Sequence, residues 1–196
     1  MTVSKKLLSE IELAFVNSIV SNDNFHTDCA KSSREGVARM TRVEEKLYLG
    51  ALRDAESLAT SNPHGIRAVI TLCRESVEHR SAEIEYSQFA IDELVPMESQ
   101  FLYTILAAIR RSIAQGSALV HCLLGVSRSP AVLAAYLRRN GFSSYAAALD
   151  YIERRRPSID PSVLLTRSIE SALEKISGDG SRLPSQSKIS PKGEGR

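Results

Sequence analysis

Ser117-Ala118-Leu119-Val120-His121-Cys122-Leu123-Leu124-Gly125-Val126-Ser127-Arg128-Ser129-Pro130 is the stretch on which the fold turns. Ala118-Leu119-Val120 is a short apolar run of the kind a buried strand carries, and helical periodicity takes over from Arg128 to Asn140. A strand that hands over to a helix through a tight loop points successive backbone N–H groups at one spot, with the helix N-terminus behind them. Such a spot suits an anion with several outer oxygens, a phosphoryl group above all. Gly125 permits the curvature, and Leu123, Leu124, Val126 and Ser127 supply the remaining loop amides. Arg128 offers a planar fork to two oxygens, which a lysine does not imitate. The same positive field favours thiolate over thiol at Cys122. A bare Cys-x5-Arg spacing would arise by chance about 0.3 times in a chain with three Cys and 18 Arg. With His121, Gly125, Ser127 and Ser129 at fixed places the figure falls to roughly five in a million.

Outward from this loop, residues 41 to 175 alternate short β-branched runs with longer helical patterns, the signature of a sheet covered by helices. Strands are expected at Lys46–Leu49, Arg67–Leu72, Glu85–Ile91 and Ser117–His121. Helices are expected at Asp54–Ser61, Ser99–Gln115, Arg128–Asn140, Ser143–Arg155 and Pro161–Ile176. Gly116 and the pair Asn140-Gly141 stand where helix terminators belong. The fold class is therefore α/β, a central and mostly parallel sheet of four to five short strands flanked by helices. Residues 1–40 form an N-terminal segment, with Leu8, Ile11, Phe15 and Ile19 on one face of a short helix and a polar linker over 21 to 36. That face packs on its own domain or meets a partner or a second copy. The catalytic domain spans 41–176, and 177–196 reads as a disordered basic tail.

Charge excludes some classes. The net charge is +2, from 25 basic and 23 acidic residues, and the tail accounts for that excess, so the body is neutral. A broad nucleic-acid surface would need clustered Lys and Arg. No apolar run approaches the ~18 residues of a membrane span, and Met1-Thr2-Val3-Ser4 opens neither a signal peptide nor a myristoylation site. A cytoplasmic protein, with the nucleus also open to it, is expected. There Cys29, Cys73 and Cys122 remain thiols.

The run His121-Cys122-x-x-Gly125-x-Ser127-Arg128-Ser129-Pro130 resembles the signature of the dual-specificity phosphatases within the protein tyrosine phosphatase superfamily. Lys46-Leu47-Tyr48-Leu49-Gly50 with Asp54-Ala55, and Ile66 to Leu72, resemble that domain's opening strands. The resemblance implies a protein tyrosine phosphatase-like fold and a phosphoprotein substrate, with no cofactor and no metal. It implies Cys122 as nucleophile, Arg128 as transition-state clamp and Ser129 as the hydroxyl that helps the thiolate leave. His121 becomes a structural neighbour of the thiolate. The family takes its general acid from an Asp about thirty residues before the Cys. Asp92 stands 30 residues upstream, with Glu93 beside it as the alternative. The pattern fails at Ile159-Asp160-Pro161-Ser162-Val163-Leu164-Leu165, where relatives carry an Asn-Pro-Asn-like turn, an aromatic and a Gln.

Other enzymes with the same loop act on phosphoinositides or RNA. Lipid-directed relatives place Lys inside the loop, whereas this one carries Leu123, Leu124 and Val126. A phosphoprotein-binding or scaffolding module with little catalysis is the rival from another class. His26-Thr27-Asp28-Cys29 has the spacing of half a zinc site with no second half, and no Walker-type loop occurs. Cys73 closes the strand Ala68 to Leu72 and reads most simply as a small buried hydrophobe. Its position also resembles that of a second cysteine in certain lipid-phosphatase and prenylated relatives, which implies a disulfide with Cys122 under oxidation.

Overall fold

The computed structural model describes residues 40–178. Its sheet holds β1 (Thr41–Glu44), β2 (Leu47–Ala51), β3 (Ile66–Thr71), β4 (Glu85–Gln88) and β5 (Ser117–Cys122) in the order β1-β2-β5-β3-β4. Only β1 runs antiparallel, paired to β2 with a register shift between Arg42 and Glu44. The helices are α1 (Leu52–Ser57), α2 (Ser99–Gln115), α3 (Arg128–Arg139), α4 (Tyr145–Glu153) and α5 (Val163–Gly178). The mostly parallel α/β class expected from the sequence is the one observed. The N-terminal helix, the linker of 21 to 36 and the tail beyond Gly178 lie outside the described residues.

β5 is the middle strand. Its apolar side chains pass into both layers, with Ala118 and Val120 in the larger core and Leu119 in the smaller one with Tyr48, Ile66 and Val69. A strand buried on both faces reads as a continuous apolar run, which is why Ala118-Leu119-Val120 was legible. α3 is buried on all sides from Ser129 to Leu137. Ala131, Ala134 and Ala135 lie in the same core as residues of α2, α4 and α5.

The boundaries moved where local chemistry outweighed periodicity. α1 starts at Leu52 rather than Asp54, because the buried Asp54 carboxylate accepts the Ala51 N–H at 2.8 Å and so marks the first turn. α5 begins at Val163, after Ser162 rather than at Pro161, since the Ser162 hydroxyl accepts the Leu165 N–H at 3.2 Å and acts as the cap. β4 stops at Gln88, although Phe89 and Ile91 still donate to Thr71 and Leu72 of the neighbouring strand edge. The Asn140-Gly141 pair ends α3 as expected, with Gly141 at φ +120 and the Phe142 N–H returning to the Leu137 carbonyl. Gly116 differs. Its φ of 165 is extended backbone open to any residue, and the glycine instead makes room for the Arg67 side chain.

Candidate active site

Leu123 to Ser127 make the whole turn between β5 and α3. Three of its carbonyls are held by donors outside it: Leu123 by the Leu52 N–H at 3.1 Å, Val126 by the Asp160 N–H at 2.9 Å, and Gly125 by Arg156 Nε at 3.1 Å. With those carbonyls turned out, the loop's N–H groups are left to face its centre. Gly125 sits at φ +69, and a Cβ there would lie 2.6 Å from the Gly50 carbonyl oxygen and 2.9 Å from Arg156 Nη2. Any side chain would be strained by its backbone and would also displace the wall of the loop.

The centre of the turn is the sulfur of Cys122. The Ser129 hydroxyl donates to Sγ at 3.3 Å, and the backbone N–H groups of Ser129 and Gly125 also reach it. Burial alone would push the thiol's pKa up. The Ser129 hydroxyl, the two N–H groups and the Arg128 charge outweigh that burial and bring it below the ordinary thiol value. Ser129 itself is fully buried, so its hydroxyl does not divide its bond with water.

His121 is fully buried and depressed in pKa, chiefly by that burial, so it stands neutral. Its Nδ1 lies 3.2 Å from the Cys122 carbonyl and its Nε2 lies 2.8 Å from Thr71 Oγ1. A carbonyl only accepts, so Nδ1 carries the proton and Nε2 receives the threonine hydroxyl. The histidine thus steadies the backbone of Cys122 and its neighbouring strand, and its hydrogen bonds go to the carbonyl and Thr71 rather than to the thiolate.

Arg128 opens α3, mostly buried. Its Nε lies 3.2 Å from Glu93 Oε1, but the N–H is not aligned on that oxygen, and among the described residues it has no hydrogen-bond acceptor. We read the contact as an ion pair that leaves the donor available for an incoming oxyanion. Ser127, at the N-cap of α3, makes no cap bond of its own. Its hydroxyl donates to Glu93 Oε2 at 2.8 Å and accepts the Ser162 N–H at 3.3 Å. The first amides of α3 are spared the side chain that ordinarily occupies them.

Asp92 is more exposed than its neighbour. Its Oδ2 receives Arg74 Nη2 at 3.1 Å and its Oδ1 receives the Leu94 N–H at 3.0 Å. The two adjacent carboxylates therefore divide: Glu93 engages the loop, and Asp92 faces Arg74. Cys73 is fully buried at the end of β3, its Sγ 3.6 Å from the Glu75 carbonyl. Burial first, then Glu75, pushes its thiol up to about 11, and Arg128 and Cys122 are near enough to act on it electrostatically.

Sequence reasoning missed the supporting role of Glu93 and the whole of Arg156. Arg156 is only 3% exposed and spans from Gly125 to Thr41, with Nη1 3.3 Å from Thr41 Oγ1. Burial lowers its pKa while nearby Asp54 opposes the shift. The run Arg154-Arg155-Arg156 before Pro157 carried no sign that its third member turns inward.

Residues 47–174 match the family model for the dual specificity phosphatase catalytic domain. Protein phosphatase Slingshot of Drosophila melanogaster is 30% identical over 137 residues, covering 66% of this chain and 13% of the relative. Dual specificity protein phosphatase 9 of Homo sapiens is 32% identical over 125 residues, covering 62% of this chain and 33% of the relative. The chain thus spans a third or less of the length of these relatives. Among solved structures, human DUSP28 superposes with a TM-score of 0.63 at 24% identity, over 72% of this chain and 97% of that one. The family model takes in β2 to β5 and the loop from Cys122 to Arg128, and on that match the chain belongs to the dual specificity phosphatase catalytic-domain family.

Proposed function

We propose that the protein hydrolyses phosphotyrosine and phosphoserine/threonine on proteins through a phosphocysteine intermediate. The observation that carries this reading is the convergence of Ser129, Gly125 and Arg128 on a buried Cys122 whose pKa falls in spite of its burial. The thiolate attacks phosphorus in line, the bond from phosphorus to the leaving oxygen breaks, and Asp92 in its acid form gives that oxygen its proton. A water then attacks the phosphocysteine and passes a proton to the Asp92 carboxylate. The sulfur departs as a thiolate, stabilised by the hydroxyl of Ser129. Arg128 and the loop amides hold the equatorial oxygens in both steps.

Protein substrates are favoured over phosphoinositides and RNA because the variable loop positions, Leu123, Leu124 and Val126, bring no cations to meet further phosphates. A thiolate nucleophile also suits a reducing compartment such as the cytoplasm. The test is hydrolysis of an aryl phosphate and of phosphopeptides in the presence of a chelator. Turnover should be blocked by vanadate, fall at least a thousandfold in Cys122→Ser and at least a hundredfold in Arg128→Lys. Undiminished turnover in Cys122→Ser would sink the mechanism.

A further inference from the structure

The large apolar side chains left exposed among the described residues are Leu94, Val95, Leu123, Leu124, Val163 and Leu164, between 37% and 79% accessible. They fall on three segments: the loop after β4, the loop after β5, and the start of α5. Hydrogen bonds tie all three to one place. Glu93, next to Leu94, accepts from Ser127; the Ser162 N–H, one residue before Val163, donates to the same hydroxyl; and Asp160 holds the Val126 carbonyl. The exposed apolar surface is thus gathered around the mouth of the phosphate loop. Single exposed apolar residues scattered over a surface call for no explanation, whereas a set clustered at a binding site marks what the site receives.

Charge decides which substrate fits. Residues 92–95, 123–128 and 160–164 carry Asp92, Glu93 and Asp160, against Arg128, which the phosphate itself engages, and Arg74, which Asp92 holds at 3.1 Å. Such a mouth lacks the clustered Lys and Arg that recognition of an anionic membrane surface needs. It accepts a neutral or cationic chain with apolar side chains.

We propose that this rim selects phosphopeptides bearing apolar side chains within about three residues of the phosphorylated one, the span an extended strand covers in roughly 10 Å. The inference rests on the phosphatase reading and specifies the substrate of that same site. Leu94 and Val95 would cover one flank, Val163 and Leu164 the other, with Leu123 and Leu124 between them. Val163 and Leu164 lie in the segment 159–165, where the sequence departs from the family pattern.

The experiment compares kcat/KM for matched phosphopeptides whose flanking residues are Leu, Ile and Val or Ser and Gly, beside phosphatidylinositol phosphate vesicles and a small aryl phosphate. The apolar peptides should be favoured at least tenfold, or about 1.4 kcal/mol, with most of the difference in KM. The double variant Leu94→Ser, Leu164→Ser should bring that preference below about threefold. Equal kcat/KM for the two peptide classes, while the aryl phosphate is still hydrolysed through Cys122, overturns the rim alone. Faster turnover of vesicles than of either peptide class also overturns it, in favour of a lipid. No Cys122-dependent hydrolysis of any of them overturns the phosphatase reading beneath it.

Discussion

Glu93 Oε2 accepts the hydroxyl of Ser127 at 2.8 Å, so a residue of the loop after β4 holds the last residue of the loop after β5. Its other oxygen stands 3.2 Å from Arg128 Nε. One half-buried carboxylate therefore engages both the residue at the N-cap position of α3 and the residue that opens the helix. Glu93→Ala should lower kcat/KM for an aryl phosphate about tenfold, and Glu93→Gln, which keeps the bond to Ser127, should recover part of that loss. A change within twofold for the alanine variant would make the brace dispensable.

The neighbouring carboxylate carries a different expectation. Asp92→Asn should flatten the alkaline limb of the pH profile and penalise substrates with poor leaving groups most, because those need the proton. Steady-state rates across a series of aryl phosphates measure this. If Glu93→Gln gives that signature instead, the acid is Glu93, and the contact of Asp92 with Arg74 is its only role.

Ser129→Ala removes the donor 3.3 Å from the sulfur and leaves the burial, which by itself raises the thiol's pKa. The Cys122 thiolate should then form at higher pH than in the wild type. Iodoacetamide inactivation followed against pH reads the midpoint: below the free-thiol value in the wild type, shifted upward in the variant. The second step should also slow, because the departing thiolate has lost a hydrogen bond, and a larger burst of released phenol should precede the steady state. An unmoved midpoint would mean that the hydroxyl does not stabilise the thiolate.

Cys73, buried and pushed up to about 11, is a poor nucleophile on its own account. It can act only on a Cys122 that has first been oxidised to the sulfenic acid, condensing with it to a disulfide and releasing water. Peroxide-treated wild type should then recover with dithiothreitol, while Cys73→Ser should pass to an unrecoverable state. Equal recovery of both proteins, with no Cys73–Cys122 peptide by mass spectrometry, leaves Cys73 as packing.

The loop and its flanking strand and helix were legible because their information is local. An apolar triplet, a glycine and the spacing from Cys122 to Arg128 lie within a dozen residues. β1 was not legible: Thr41-Arg42-Val43-Glu44 offers one buried apolar residue, Val43, and its register shift breaks the alternation that marks a strand. Arg156 was hidden for another reason. It meets Gly125 and Thr41 only once distant parts of the chain have come together, and a surface arginine would look the same in sequence. Between Asp92 and Glu93, spacing to Cys122 favoured one residue, while the contact with Arg128 belongs to the other. Adjacent residues of a turn can face different ways, and no periodicity records which.

The middle place of β5 in the sheet has a consequence in time. Leu47 pairs with Ala118 and Ile66 with Ser117, so the strand that ends in Cys122 is seated only when both neighbours, each far back along the chain, have been brought to it. Contacts of such long sequence separation carry a larger loop-closure cost than local ones. Until then the carbonyls of Leu123 and Gly125 have neither Leu52 nor Arg156 to turn them outward, and the sulfur has no ring of donors. A nascent or partly unfolded chain therefore carries Cys122 as an ordinary thiol with ordinary sensitivity to oxidants. Thiolate-selective labelling followed during refolding should therefore rise as the sheet is completed, and would report that step.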